Sequence, residues 1–188
     1  MNSIFFLGVT GGTLLVLGSL LPEKLHISPY RSVKNWLFAL GNFCMLLFSL
    51  LDYLFQSGMF FFVLLQGVVN LSSIFMMFRV PEKISAFSLL AAGVVCTMWS
   101  LFLEQDSTVL LFIIGLIMVS LGFVFAEGSM RRNEALFFGS ACIAIFSYIN
   151  ETWIFFWLNS FFALFSLLHV FQIFRKKQKK WIVIQKKS

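Results

Sequence analysis

The chain has 188 residues, of which 60% are apolar and 12% charged, with 26 phenylalanines and a net charge of +6. Soluble domains of this size are about half apolar and about a quarter charged, so this composition leaves too little polar surface to hold a folded chain in water. A disordered chain, a disulfide-stapled secreted domain and a soluble nucleic-acid binder are excluded by the same numbers.

A transmembrane helix needs about 20 apolar residues to cross about 30 Å of hydrocarbon. In chain order, seven stretches answer that description, at 4–21, 36–55, 59–78, 84–103, 108–126, 135–150 and 153–174. The first is expected to be a retained helix: Met1-Asn2-Ser3 carries no basic residue, and Pro22-Glu23-Lys24 stands where a cleavable signal would have small residues. Tight turns lead into the third and seventh. None of the stretches alternates in polarity as barrel strands do. Seven spans fill nearly the whole chain, so any chemistry is expected inside the membrane or at its edges.

The basic residues predict the orientation. With seven spans, Lys24, Arg31, Lys34, Arg79, Lys83, Arg131, Arg132 and the seven Lys and Arg of the tail from Arg175 to Lys187 all fall on one side. The opposite connections, Gln56-Ser57-Gly58, Glu104-Gln105-Asp106 and Asn150-Glu151-Thr152, carry none. The positive-inside rule then places the N-terminus outside and the C-terminus in the cytoplasm. The tail, with Trp181-Ile182-Val183-Ile184 between its lysines, is a topology anchor or a segment lying on anionic headgroups. Nothing near it would stack on or read bases.

An internal repeat runs through the chain. Asn35, Gly41, Cys44, Phe48 and Ser49 recur as Asn133, Gly139, Cys142, Phe146 and Ser147, a spacing of 98, with Asp52 matched by Asn150. Gly11, Leu17, Gly18 and Glu23 recur as Gly115, Leu121, Gly122 and Glu127 at 104. Phe60, Leu71, Phe75, Phe78 and Arg79 match Phe156, Leu167, Phe171, Phe174 and Arg175 at 96. The scarce residues carry the weight. A single linker span between two triplets gives both triplets the same orientation, a parallel repeat about an axis along the membrane normal. The predicted fold is an all-α, polytopic membrane protein of seven transmembrane helices, arranged as two parallel three-helix bundles joined by a linker helix. Its parts are a first bundle at 1–80, a linker at 81–106, a second bundle at 107–175 and a basic cytoplasmic tail at 176–188.

This layout resembles the SWEET sugar transporters and the PnuC vitamin transporters, which share the PQ-loop triple-helix bundle. Ser19-Leu20-Leu21-Pro22-Glu23 is similar to the Pro-Gln motif of that superfamily, with Glu for Gln, whereas Phe125-Ala126-Glu127 in the second half lacks the proline. Small bacterial inner-membrane proteins of unassigned function also look like this, and a bacterial inner membrane is the location that the resemblance implies.

Parallel-repeat transporters bind solute near the midplane between their halves. Gln66, Asn70 and Ser73 share one face of the third span, and Phe162, Ser166 and His169 are their expected counterparts, with Asn159 one turn earlier. By the resemblance, Asn70 and its counterpart Ser166 would hold solute, with Phe55 and Trp153 as aromatic plates. An aromatic face beside amides suits a ring-shaped polar solute. Plainer readings stand beside these. Asn70 and Ser166 serve equally well as interhelical glue, Trp153 as an interfacial anchor and His169 as a packed, neutral side chain. Pro22, Gly18 and Gly122 are candidate hinges, or in the glycines' case close-packing positions.

Cys44, Cys96 and Cys142 form no C-x-x-C pair, His26 and His169 stand apart, and no hydrolase, metalloprotease or phosphate-loop motif occurs. The expected function is therefore transport of a small polar solute, such as a sugar, nucleoside or vitamin, by facilitated alternating access. The alternative is a non-transporting membrane protein with a structural or interaction role. No cofactor, metal or enzymatic activity is implied. The partners are the lipid bilayer and the solute, with self-association left open and nucleic acid excluded.

Overall fold

A computed structural model of the chain describes residues 3–21, 31–56, 58–78, 80–103, 108–125 and 129–185. Among these it forms seven helices: α1 (Ser3–Leu20), α2 (Val33–Phe55), α3 (Phe60–Phe78), α4 (Glu82–Leu103), α5 (Val109–Val124), α6 (Met130–Ile149) and α7 (Trp153–Gln185). Their boundaries follow the apolar stretches closely. The exceptions are α6, which begins at Met130 ahead of the expected 135, and α7, which runs on without a break into the basic tail.

Among the described residues, three stretches are long and apolar enough to cross a membrane: Ser3–Leu20, Val33–Phe55 and Trp153–Arg175. The apolar parts of α3, α4 and α5 are shorter, at Phe60–Phe75, Lys83–Trp99 and Val109–Phe123. Large apolar side chains face outward on all seven helices, among them Phe6, Phe43, Ile74, Phe87, Ile114, Ile145 and Trp157. Lipid is the solvent that suits such a surface, because water would penalise it in proportion to its area.

Local chemistry sets the helix ends. Ser32 and Ser129 cap α2 and α6 by accepting from the backbone N–H groups of Asn35 and Arg132. The α6–α7 turn is a left-handed C-cap: Thr152 N donates to Ser147 O (2.9 Å) and Glu151 N to Tyr148 O (3.2 Å), with Glu151 at φ 54°. Glycine usually fills that position, since a Cβ is strained there.

The helices close into a ring. α1 packs on α2, α2 on α3, α3 on α5, α5 on α6, α6 on α7 and α7 back on α1, while α4 lies outside against α3 and α5. Exchanging α1, α2 and α3 with α5, α6 and α7 leaves the contacts of the ring itself unchanged, while α4 breaks the symmetry. Each set of three is an open row, for among the described residues α1 does not touch α3 and α5 does not touch α7.

The two halves match in detail. A Cβ on Gly11 would lie 3.0 Å from Gly41 O, and one on Gly41 3.1 Å from Gly11 O. Gly115 and Gly139 cross in the same way, at 3.0 and 2.9 Å. Only glycine lets two helix backbones approach so closely. Met45 and Ile143, spaced by 98, lie beside Gly11 and Gly115; Leu15 and Val119, spaced by 104, lie beside Gly41 and Gly139.

The register of α3 against α7 differs from the expected 96. Phe62, Leu65, Gln66 and Ser73 are buried on α3; Phe155, Leu158, Asn159 and Ser166 are buried on α7. These sets coincide at a spacing of 93. The reason lies at the ends of α2 and α6: α2 carries an extra turn, Asp52–Phe55, and its loop is one residue longer. Matches between Phe and Leu could not reveal this, because those residues recur one turn away in either direction.

Candidate functional site: the interior between the two halves

Six phenylalanines from five helices fill one level of the interior. Phe62 of α3 lies flat on Phe155 of α7, with centroids 3.9 Å apart and planes 10° apart. Phe48 stands 5.7 Å from Phe155, and its counterpart Phe146 stands 5.9 Å from Phe62. Phe112 lies 5.3 Å from Phe61 and from Phe146. The Phe62–Phe155 pair therefore sits where exchange of the halves carries each ring onto the other.

One turn further along the same faces come Gln66 and Asn159, both buried. Asn159 Nδ2 donates to Phe155 O within its own helix (2.9 Å). Gln66 is 3% exposed, and its Oε1 has no hydrogen-bond partner. Leaving such an oxygen dry costs about 1–3 kcal/mol, and a donor reaching it would recover that cost.

The next turns of α3 carry a bonded network. Asn42 Nδ2 donates to Ser73 Oγ (2.6 Å), and Ser73 Oγ donates to Val69 O (3.2 Å). Asn70 Nδ2 donates to Asn42 O and to Gln66 O, each at 2.9 Å. Both amide hydrogens of Asn70 are thus used, and its side chain ties α3 to α2 as interhelical glue. In the other half, buried Ser140 and Ser166 stand at the positions of Asn42 and Ser73, and Ala163 stands at that of Asn70. Ser166 is accordingly the counterpart of Ser73, and Asn159 that of Gln66.

The expected aromatic plates do not meet in the interior. Phe55, in the extra turn of α2, is 72% exposed. Trp153 contacts Tyr148 and Phe156 edge-on and lines a groove between α1 and α7. The central aromatic pair is Phe62 and Phe155, which composition hid among 26 phenylalanines. Gly18 packs against Leu37 and Phe38, and Gly122 against Leu136, with no room for a methyl group at Gly122. These contacts make both glycines close-packing positions. Pro22 lies outside the described residues. His169 is exposed, with its Nδ1 against Phe165 O (2.8 Å). Among the described residues, no three His, Cys, Asp or Glu side chains group as a metal site would require.

Comparison with protein-family models, with curated proteins and with solved structures returns no match for this chain.

Proposed function

We propose that the chain is a membrane transporter for a small polar solute, moving it between two repeated halves that take turns closing on either side of a central site. All seven helices span in this reading, with the N-terminus outside and the basic C-terminus in the cytoplasm. The shorter apolar helices, such as the 16 residues of α5, reach about 24 Å at about 1.5 Å per residue. Local thinning of the bilayer and flanking Arg and Lys side chains accommodate such lengths. In this reading the two halves work as the paired bundles of SWEET-like and PnuC-like transporters would, with α4 as the linker, although each half is an open row and not a closed bundle.

The observation that carries the reading is the pair Gln66 and Asn159, at matching positions in the two halves and one turn beneath the Phe62–Phe155 stack. Buried amides are expensive in an apolar bundle, and one here lacks a partner for its oxygen. A ring-shaped solute offering a hydroxyl or N–H would satisfy it. In the proposed orientation the stacked phenylalanines lie on the outer side of the pair and form a closed outer gate. No coupling ion is required, so facilitated diffusion is the default.

A second reading is favoured by the density of that same aromatic layer and by Asn70, both of whose amide hydrogens are bonded within the helices. In it the bundle is a non-transporting membrane protein whose interior is simply packed. Proteoliposome uptake distinguishes the two, using a panel of sugars, nucleosides and vitamins with the wild-type chain and with Gln66→Leu. Transport predicts uptake of at least one solute and a loss of at least tenfold in the variant. A correctly folded wild-type protein that moves nothing in the panel favours the packed reading.

A further inference from the structure

Exchange of the halves relates two outer faces of the ring, and among the described residues only one of them is covered. On the α3–α5 face, α4 lies with Gly93 against Ser120, where a Cβ would come 2.9 Å from Ser120 Oγ, and with Trp99 6.4 Å from Phe60. The matching α7–α1 face is an open groove of about 480 Å³. Several of its wall residues are exposed where their counterparts on the covered face are buried. Phe5 is 42% exposed where Val109 is 2%, and Phe161 is 40% exposed where Val68 is 2%. Val16 stands where Ser120 meets Gly93, and Trp153 is offset by 93 from the Phe60 that α4 approaches. Gly12 replaces the fully buried Leu116, and a Cβ there would meet nothing within 4 Å.

We propose that this groove is the seat for α4 of a second copy of the chain, so that copies assemble head to tail within the membrane. The occupant follows from three observations. The matching face is filled by a helix, so the shape to be complemented is that of a helix. α4 leaves its own far side uncovered: Phe87, Ala91, Val94 and Met98 lie at i, i+4, i+7 and i+11, and all are exposed, Phe87 at 76%. Copies inserted the same way in one membrane present α4 in the direction that a parallel repeat requires of this seat. Gly12 supplies a hole, and the α4 seam supplies knobs of aromatic and aliphatic size. Donor and receiver faces differ, so the contact is heterologous, and assemblies close into rings when the rotation between copies allows it.

Inter-subunit cross-linking tests this in proteoliposomes. In a background with Cys44, Cys96 and Cys142 replaced by alanine, Gly12→Cys and Val94→Cys are made as separate variants and reconstituted alone or co-expressed. A short bifunctional thiol reagent is expected to link the co-expressed pair at least tenfold more than either variant alone. Single-molecule counting in the same membranes is expected to show oligomers of the unsubstituted chain, and Gly12→Leu, which fills the hole, is expected to yield folded monomers. Thiols that react singly with maleimide yet never link, or a monomeric unsubstituted chain with only lipid at the groove, would overturn the proposal. So would oligomers that persist unchanged in Gly12→Leu.

Discussion

Phe62 lies flat on Phe155, each the third residue of the last helix of its repeated half. The stack closes the interior on one side, and the amides of Gln66 and Asn159 follow one turn beyond it. If it is a gate, shrinking one ring should loosen that side before it harms the rest. Phe62→Ala is expected to cost about 3–5 kcal/mol, the usual penalty for emptying a buried phenylalanine site. Phe62→Leu is expected to cost less and to raise solute flux. Thermal unfolding in detergent and uptake rates measure the two effects.

Gln66 should reveal a conflict between stability and function. Replacing an unpartnered buried amide with an apolar side chain of similar size removes a desolvation cost, so Gln66→Met is expected to stabilise the protein by about 1–3 kcal/mol. The same change is expected to abolish transport. Midpoints of unfolding, read beside uptake, test both signs at once.

The glycine crossings set another scale. Alanine at Gly11, Gly41, Gly115 or Gly139 would press a methyl group into the facing helix, and each substitution is expected to destabilise by about 1–3 kcal/mol. Gly12→Ala meets no atom within 4 Å and gains up to about 1 kcal/mol in helix propensity. The contrast between neighbours Gly11 and Gly12 in denaturation midpoints is the measurement.

The α6–α7 turn places Glu151 at φ 54°, a conformation that costs a residue bearing a Cβ about 1–2 kcal/mol. Glu151→Gly is expected to stabilise by up to about 1 kcal/mol, and Glu151→Val to destabilise. Unfolding midpoints of the two variants decide the sign.

Much of this was legible in the sequence, for identifiable reasons. Helix boundaries mostly followed apolar length, and the recurrence of Gly11 and Gly41 as Gly115 and Gly139 was legible, since scarce residues keep their register in an apolar chain; that each pair crosses was not. The α3–α7 register was not legible. A three-residue slip puts phenylalanine on phenylalanine and leucine on leucine nearly as well, and only burial exposed the pairing of Gln66 with Asn159. Asn70 was drawn to the solute by resemblance, whereas its two donors are spent on α2 and α3 carbonyls. Phe55 was drawn there by its place at the end of the second span, and the extra turn of α2 carries it outward. The open row of helices in each half was also hidden, because composition does not say which face of α2 receives α3.

The most direct test of the central claim asks whether the interior opens at all. With the three native cysteines replaced, Asn159→Cys is exposed to a membrane-impermeant thiol reagent from each side of the membrane in turn. Alternating access predicts labelling from the cytoplasmic side, labelling from the outer side that rises several-fold when Phe62→Leu is added, and protection by a transported solute. A thiol at position 159 that stays unreactive from both sides, in protein that labels normally after unfolding, would contradict the account.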